Sequence, residues 1–257
     1  ADLAKQPVPD VVNDIYRVND LTFGPLYFIP KPVDPRLITE VSAAVAKAAI
    51  ESGVARKDIT NWDAYKNSLM QLLGQETVFT RKLHDTARLQ PQRVVYAEGG
   101  HPSMMKAAVQ AKAEGICFPI LLGNPDRINR QAQRLKLDLS GIEIIDMRAD
   151  KEQGRRATYA KHLAEKLARK GYTFQEAYDK MYERNYFGMM MVERGDADAF
   201  ITGLYTKYSN TIKVATEVVG VREGFHTFGT MHIVNSQKGT YYIADTLINR
   251  HPDNNFL

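Results

Sequence analysis

The 257-residue chain has a single cysteine, Cys117, and a single tryptophan, Trp62. One thiol excludes an internal disulfide framework and any metal site built on several thiolates. No apolar run approaches the roughly 18 residues that span a bilayer, and no charged, apolar and small-residue leader opens the chain. These absences predict a cytoplasmic protein with no membrane partner. Glycine does not assemble a nucleotide fingerprint. There is no Gly-x-Gly-x-x-Gly, no Gly-x-x-x-x-Gly-Lys-Ser/Thr, no His-Glu-x-x-His and no Gly-x-Ser-x-Gly, so several enzyme classes lose their main support. Excess charge is small too: 34 Lys and Arg against 30 Asp and Glu leave +4 at pH 7. That excess is too slight and too interspersed to argue for nucleic acid, but an anionic small ligand remains open. None of the nine methionines stands at position 1, which suggests a piece of a longer polypeptide.

With 44% hydrophobic and 25% charged residues the chain has a globular composition, long enough for one large domain or two small ones. Six of the eleven prolines (Pro7, Pro9, Pro25, Pro30, Pro32 and Pro35) fall in the first 35 residues and predict an extended arm with few donors for a sheet ladder. Asp34-Pro35 is a helix start, and Leu37, Ile38, Val41, Val45 and Ala49 keep helical spacing until Gly53. Two further amphipathic stretches, from Asn61 to Leu73 and from Gln75 or Thr77 to Arg88, predict a helical connector ending at Pro91.

From Arg93 the pattern changes to short β-branched runs at 93–97, 118–122, 142–146 and 197–202. Between them lie helices opened by Pro102, by Asn124-Pro125, by Asp150 and by Thr173, whose spacing to Glu176 fits a capping box. The alternation predicts an α/β fold with a mostly parallel sheet flanked by helices. After a helix from about Ser209 to Val219, two alternating runs, 227–235 and 240–245, joined by Ser-Gln-Lys-Gly, predict a β-hairpin. No helix follows to cover that hairpin before the chain stops, so more chain or a partner is expected there.

Ligands of open parallel sheets sit beyond the carboxyl ends of the strands. Two loops qualify: Glu98-Gly99-Gly100-His101 after the first run, and Gly203-Leu-Tyr-Thr-Lys207 after the fourth. Position alone leaves open whether Gly99 and Gly100 serve a ligand or only a tight turn. Elsewhere the plainer readings prevail. Met189-Met190-Met191 reads as helix core, Cys117 as a small core residue, and Asp196 and Asp198 as turn-capping or solvent-facing carboxylates. His226 and His232 have no partner at ligand spacing, so no metal site is expected within the chain.

Phe23-Gly-Pro-Leu-Tyr-Phe-Ile-Pro-Lys-Pro-Val-Asp-Pro-Arg-Leu37, with Val45-Ala-Lys-Ala-Ala49 and Ser52-Gly-Val54, resembles the end of the nucleotide-binding domain of large bacterial NADP-dependent malic enzymes. Arg93-Val-Val-Tyr-Ala-Glu-Gly99, Pro119-Ile-Leu-Leu-Gly123, Met190-Met-Val192, Arg194-Gly-Asp-Ala-Asp198 and Tyr242-Ile-Ala-Asp245 resemble the first half of a phosphate acetyltransferase. In this order the two resemble the hybrid malic enzymes.

The resemblance implies three parts: residues 1–60 as the tail of the nucleotide-binding domain, 61–90 as the connector, and 91–257 as the first part of a phosphate-acetyltransferase-like domain. It implies oxidative decarboxylation of malate to pyruvate by the full-length protein. NADP and a divalent metal, Mg or Mn, would sit outside this chain, and no catalytic residue is carried over onto it. The family's transferases place one arginine where this chain has Leu167, with Arg169 close, and another where it has Lys213. Their Ser-Arg pair and catalytic aspartate fall beyond Leu257. A guanidinium forks onto two oxygens and an ammonium does not, so acetyl transfer by this chain is not expected.

The implied role is that of an acetyl-CoA-sensing regulatory domain in a homo-oligomer built on dimers. Glu98, Gly99, Gly100, Thr202, Gly203, Tyr205, Lys207 and Lys213 are the acetyl-CoA-binding candidates. An active phosphate acetyltransferase and a pure assembly module are the alternatives.

Overall fold

The computed structural model describes residues 2–18, 21–72, 78–225, 228–236, 239–244 and 247–248. It divides into two compact units, one of residues 1–85 with 229–257 and the other of residues 86–228.

In the first unit the proline-rich arm is less extended than its composition predicts. It carries two short helices, α1 (Asp2–Lys5) and α2 (Asp10–Tyr16). Pro9 precedes α2 with φ −59°, an angle its ring already fixes, so proline opens this helix rather than blocking it. Ala4, Val8, Val12 and Tyr27 close into a small apolar cluster. Farther along, a π-helical turn at Leu37–Val41 leads into α3 (Ser42–Glu51), and Gly53 lies just beyond at φ +71°. The buried Asp34 carboxylate accepts from the Arg36 backbone N–H at 3.0 Å and from its guanidinium at 2.6 Å, which fixes the chain direction into that turn. Ile38, Val41 and Val45 remain exposed on this helix. Asn61 caps α4 (Trp62–Leu72), its Oδ1 accepting from Ala64 N at 2.9 Å. The next helix, α5, spans Val78–Leu89; the expected start at Gln75 or Thr77 lies outside the described residues.

The second unit alternates strand and helix: β1 (Gln92–Tyr96), α6 (Pro102–Ala113), β2 (Cys117–Leu122), α7 (Pro125–Leu135) and β3 (Glu143–Ile145). A 3-10 turn at Asp150–Glu152 then leads into α8 (Gln153–Lys166), followed by α9 (Phe174–Lys180), α10 (Arg184–Glu193), β4 (Ala199–Ile201) and α11 (Tyr208–Val218). All four strands are parallel, in the order β3-β2-β1-β4.

Both faces of this sheet are covered, and the strands show it residue by residue. Val95, Ile120, Leu122 and Ile145 join the core built with α8, α9, α10 and α11. Val94, Tyr96, Leu121 and Ile144 belong to the opposite core with α6 and α7. The period of two that sends neighbours to opposite faces explains why the runs read as continuously apolar. Met189, Met190 and Met191 are buried in α10, as their apolar density predicts.

The hairpin, β5 (Met231–Ser236) with β6 (Gly239–Ala244), is antiparallel, pairing Met231 with Ala244 through Ser236 with Gly239. It starts later than the expected residue 227; Gln237, Lys238 and Asp245 lie outside the described residues. Its apolar side chains, Ile233, Val234, Tyr241, Tyr242 and Ile243 among them, are exposed on both faces.

Candidate functional site

Strand β1 continues through α6 to β2 on one side, whereas β4, reached from β3 only after α8, α9 and α10, lies on its other side. The strand order therefore reverses between β1 and β4, and the loops that follow them open a crevice at their carboxyl ends. These are the two loops that the sequence singles out.

Glu98 joins them. It is 2% exposed, and its Oε1 accepts from the Thr202 hydroxyl at 2.9 Å and from the Gly203 N–H at 3.3 Å. The Thr202 hydroxyl also has Asn185 Oδ1 of α10 at 3.1 Å. Glu98 Oε2 is buried with no hydrogen-bond partner among the described residues. Gly99 follows because nothing larger fits: a Cβ there would stand 2.8 Å from Leu121 Cβ and 2.8 Å from Leu122 O.

A cavity of about 1120 Å³ lies over this end of the sheet, within the second unit. Of the sequence-derived candidates, Glu98, Gly99, Gly100, Tyr205 and Lys213 line it. Thr202 and Gly203 stand behind Glu98 without lining the cavity, and Lys207 precedes α11 as its N-cap residue. Tyr205 takes part in an aromatic array at the wall, its ring centroid 5.6 Å from that of His101 and 5.7 Å from the Arg184 guanidinium. Lys213 Nζ lies 3.9 Å from Glu217 Oε1, and Glu217 Oε2 accepts the Tyr186 hydroxyl at 2.5 Å.

The wall also holds cationic residues that sequence reasoning missed: Arg127, Arg148, Lys180 and Arg184. A signal for two of them was present. Arg127 and Arg148 follow β2 and β3, so the rule that selected the loops after the first and fourth strands applies to these loops equally.

The remaining candidates are occupied elsewhere. Asp198 accepts Arg93 Nη2 at 2.8 Å and the Arg93 backbone N–H at 2.8 Å, and the guanidinium holds its carboxyl down at about 2. Asp196 accepts the Tyr159 hydroxyl. Cys117 is buried 3.8 Å from the Tyr96 hydroxyl, and burial pushes its thiol up, away from nucleophilic thiolate. Leu167 is buried in the core at the end of α8, and Arg169 is exposed in the turn that follows.

Among the described residues, no three of the His, Cys, Asp and Glu residues converge where a metal could sit, and the β1–α6 turn reads Glu-Gly-Gly-His.

Residues 78–257 match the phosphate acetyl/butaryl transferase family. The chain belongs to that family. The NADP-dependent malic enzyme of Escherichia coli is 36% identical over 98% of this chain and 34% of its own length. The phosphate acetyltransferase of Thermoanaerobacterium thermosaccharolyticum is 31% identical over 66% of this chain and 52% of its own length. Among solved structures, the EutD phosphotransacetylase of Staphylococcus aureus superposes with a TM-score of 0.57 and 25% identity over 67% of this chain and 52% of that one. The family membership and this likeness agree with the mostly parallel, helix-flanked sheet. The chain spans about a third of the length of the malic enzymes it matches. No helix of the described residues is long and apolar enough to cross a membrane.

Proposed function

We propose that this chain is the regulatory and assembly portion of a bacterial malic enzyme, and that its phosphate-acetyltransferase-like unit binds acetyl-CoA without transferring the acetyl group. In this reading residues 1–60 belong to the end of a nucleotide-binding domain, 61–90 connect, and 91–257 form the first part of the transferase-like domain. Malate, NADP and a divalent metal are handled by parts of the longer protein, which works as an oligomer built on dimers.

The observation that carries the reading is the combination of family membership with substituted anion-binding positions. Where the family's transferases are expected to present arginines, this chain has Leu167, buried in the core, and Lys213, held near Glu217. A buried leucine cannot fork onto an acyl phosphate, and an ammonium is a point charge. A large cavity with a cationic wall nevertheless remains at the strand ends, suited to a ligand with several phosphate charges. In this reading Glu98, Gly99, Gly100, Tyr205 and Lys213 face the ligand, and Thr202, Gly203 and Lys207 belong to the strand-end loop that supports them. Inhibition through this cavity requires acetyl-CoA to bind one state of the enzyme better, by a coupling of about 1–3 kcal/mol, or about 5–150-fold in affinity.

The test uses the intact polypeptide that contains this chain. Malate decarboxylation with NADP is expected to fall on addition of acetyl-CoA, while acetyl phosphate formation from acetyl-CoA and phosphate stays far below about 1 per second. Family membership favours a second reading, a working transferase. Turnover at or above that rate would establish it and overturn the first.

A further inference from the structure

The cations on the cavity wall are not equivalent. Lys180 Nζ pairs with Glu183 at 2.8 Å, the Arg184 guanidinium lies over the Tyr205 ring, and Lys213 has Glu217 at 3.9 Å. Arg127 and Arg148 differ. Both are exposed, and among the described residues neither guanidinium has a hydrogen bond or ion pair, although each backbone N–H is bonded to a neighbouring side chain.

Their backbones, by contrast, are firmly held. Gly123 N donates to Ile145 O at 2.9 Å, which brings the ends of β2 and β3 together. Asn124 Oδ1 accepts from Arg127 N at 3.1 Å, and Asn124 Nδ2 donates to Asp146 Oδ2 at 3.3 Å. Asp146 Oδ1 accepts from Arg148 N at 3.0 Å. Asp146 is thus used to join the two loops, and neither it nor Asp150, each two residues from Arg148, forms an ion pair with either guanidinium among the described residues. On either side of Arg148, the buried Arg156 donates to Met147 O at 2.7 Å and to Ala149 O at 2.8 Å, with its guanidinium 4.7 Å from the Tyr182 ring centroid. Two uncompensated positive groups on fixed backbones at one end of a cavity are preorganised for an anion, and a guanidinium suits a phosphoryl group because its fork spans two oxygens.

We propose that Arg127 and Arg148 form a phosphoryl clamp at the β2–β3 end of the cavity, holding the phosphorylated nucleotide end of its ligand. The choice of a nucleotide rests on the acetyl-CoA reading above; the phosphoryl chemistry does not, and free phosphate shares it. The ligand's phosphates then lie beyond β2 and β3, and its acyl arm runs toward the Glu98 loop at the β1–β4 reversal.

The experiment titrates the 257-residue chain, at fixed ionic strength, with acetyl-CoA, adenosine 3′,5′-bisphosphate and inorganic phosphate separately. The variants are Arg127→Gln/Arg148→Gln and, as a control for net charge, Arg130→Gln, an exposed α7 residue that does not line the cavity. Because the two guanidinium groups are exposed and unpaired, the double variant is expected to unfold at the temperature of the parent.

The clamp predicts that the double variant binds acetyl-CoA and the bisphosphate at least tenfold more weakly, while Arg130→Gln binds them as the parent does. Parent chain that binds inorganic phosphate in the same arginine-dependent way, but not acetyl-CoA, keeps the clamp and overturns the nucleotide reading. Acetyl-CoA binding that is equal in the parent and the double variant overturns the clamp and leaves that reading standing. Equal weakening by Arg130→Gln overturns the clamp as a net-charge effect, and a parent that binds none of the three at millimolar concentration overturns both.

Discussion

Gly188 shows at the residue scale how little room this fold leaves between α10 and the sheet. A Cβ at that position would stand 2.3 Å from Cε2 of Phe200 on β4 and 3.1 Å from a Leu122 methyl group. Gly188→Ala is therefore expected to destabilise by about 1–3 kcal/mol through overpacking. Adding Phe200→Leu, which removes the clashing ring edge, should recover part of that loss. A double-mutant cycle from urea unfolding checks this, and simple additivity of the two losses would show that the contact is not the cause. The burial of Cys117 and of Met189 to Met191 was legible beforehand, because apolar density needs no knowledge of neighbours. The steric role of Gly188 was not, because nothing near it in sequence announces that Phe200 will sit against it. Leu167 was noticed only as a departure from the family's pattern, and its place in the core came from the packing of α8.

Among the elements, the start of α9 was the clearest in the sequence. Thr173 Oγ1 accepts from Glu176 N at 3.2 Å, and Glu176 Oε2 accepts from Thr173 N at 2.8 Å, completing the reciprocal cap that their spacing predicts. Thr173→Ala should cost about 1 kcal/mol and Thr173→Ser close to nothing, measured as shifts of the thermal midpoint. Caps are legible because both partners lie within one turn of chain. The four parallel strands were also located, but their ends moved by up to two residues: the run at 197–202 forms β4 at Ala199–Ile201 only. A strand ends where its neighbour stops pairing, and β4 pairs with β1 over three residues. The π-helical turn at Leu37–Val41 and the two short helices in the proline-rich arm had no such local signature.

Over the whole second unit, an ion pair between residues 105 positions apart joins the start of β1 to the approach to β4. The Arg93 guanidinium holds the Asp198 carboxyl down at about 2, against about 3.9 for a free aspartate. A carboxyl depressed in the folded state contributes stability that is fully present above the free value and is lost as pH falls through the folded one. The contribution should therefore disappear between about pH 4 and pH 2. Asp198→Asn is expected to lower the urea midpoint at neutral pH and to flatten its dependence over that window. Parallel curves for parent and variant from pH 5 to pH 2 would show that the pair contributes nothing to folding.

Local sequence determined that this chain is built from alternating strands and helices, that the Glu98 and Gly203 loops lie at strand ends, and that Cys117 belongs to the core. Each of these depends on periodicity, capping or turn chemistry within about a dozen residues. Tertiary structure alone decided that β4 lies beside β1 rather than beyond β3, so that Glu98 reaches Thr202 and Gly203 across the reversal. It also decided which cations are spent on carboxylates or aromatic rings and which are left free. Lys213 was, with Lys207, one of two cationic candidates for the site, yet it lies near Glu217, whereas Arg127 and Arg148, unremarkable in the sequence, stand unpaired among the described residues on its wall. The physical reason is that charge is a property of a residue, but neutralisation depends on what the fold brings within about 4 Å of it.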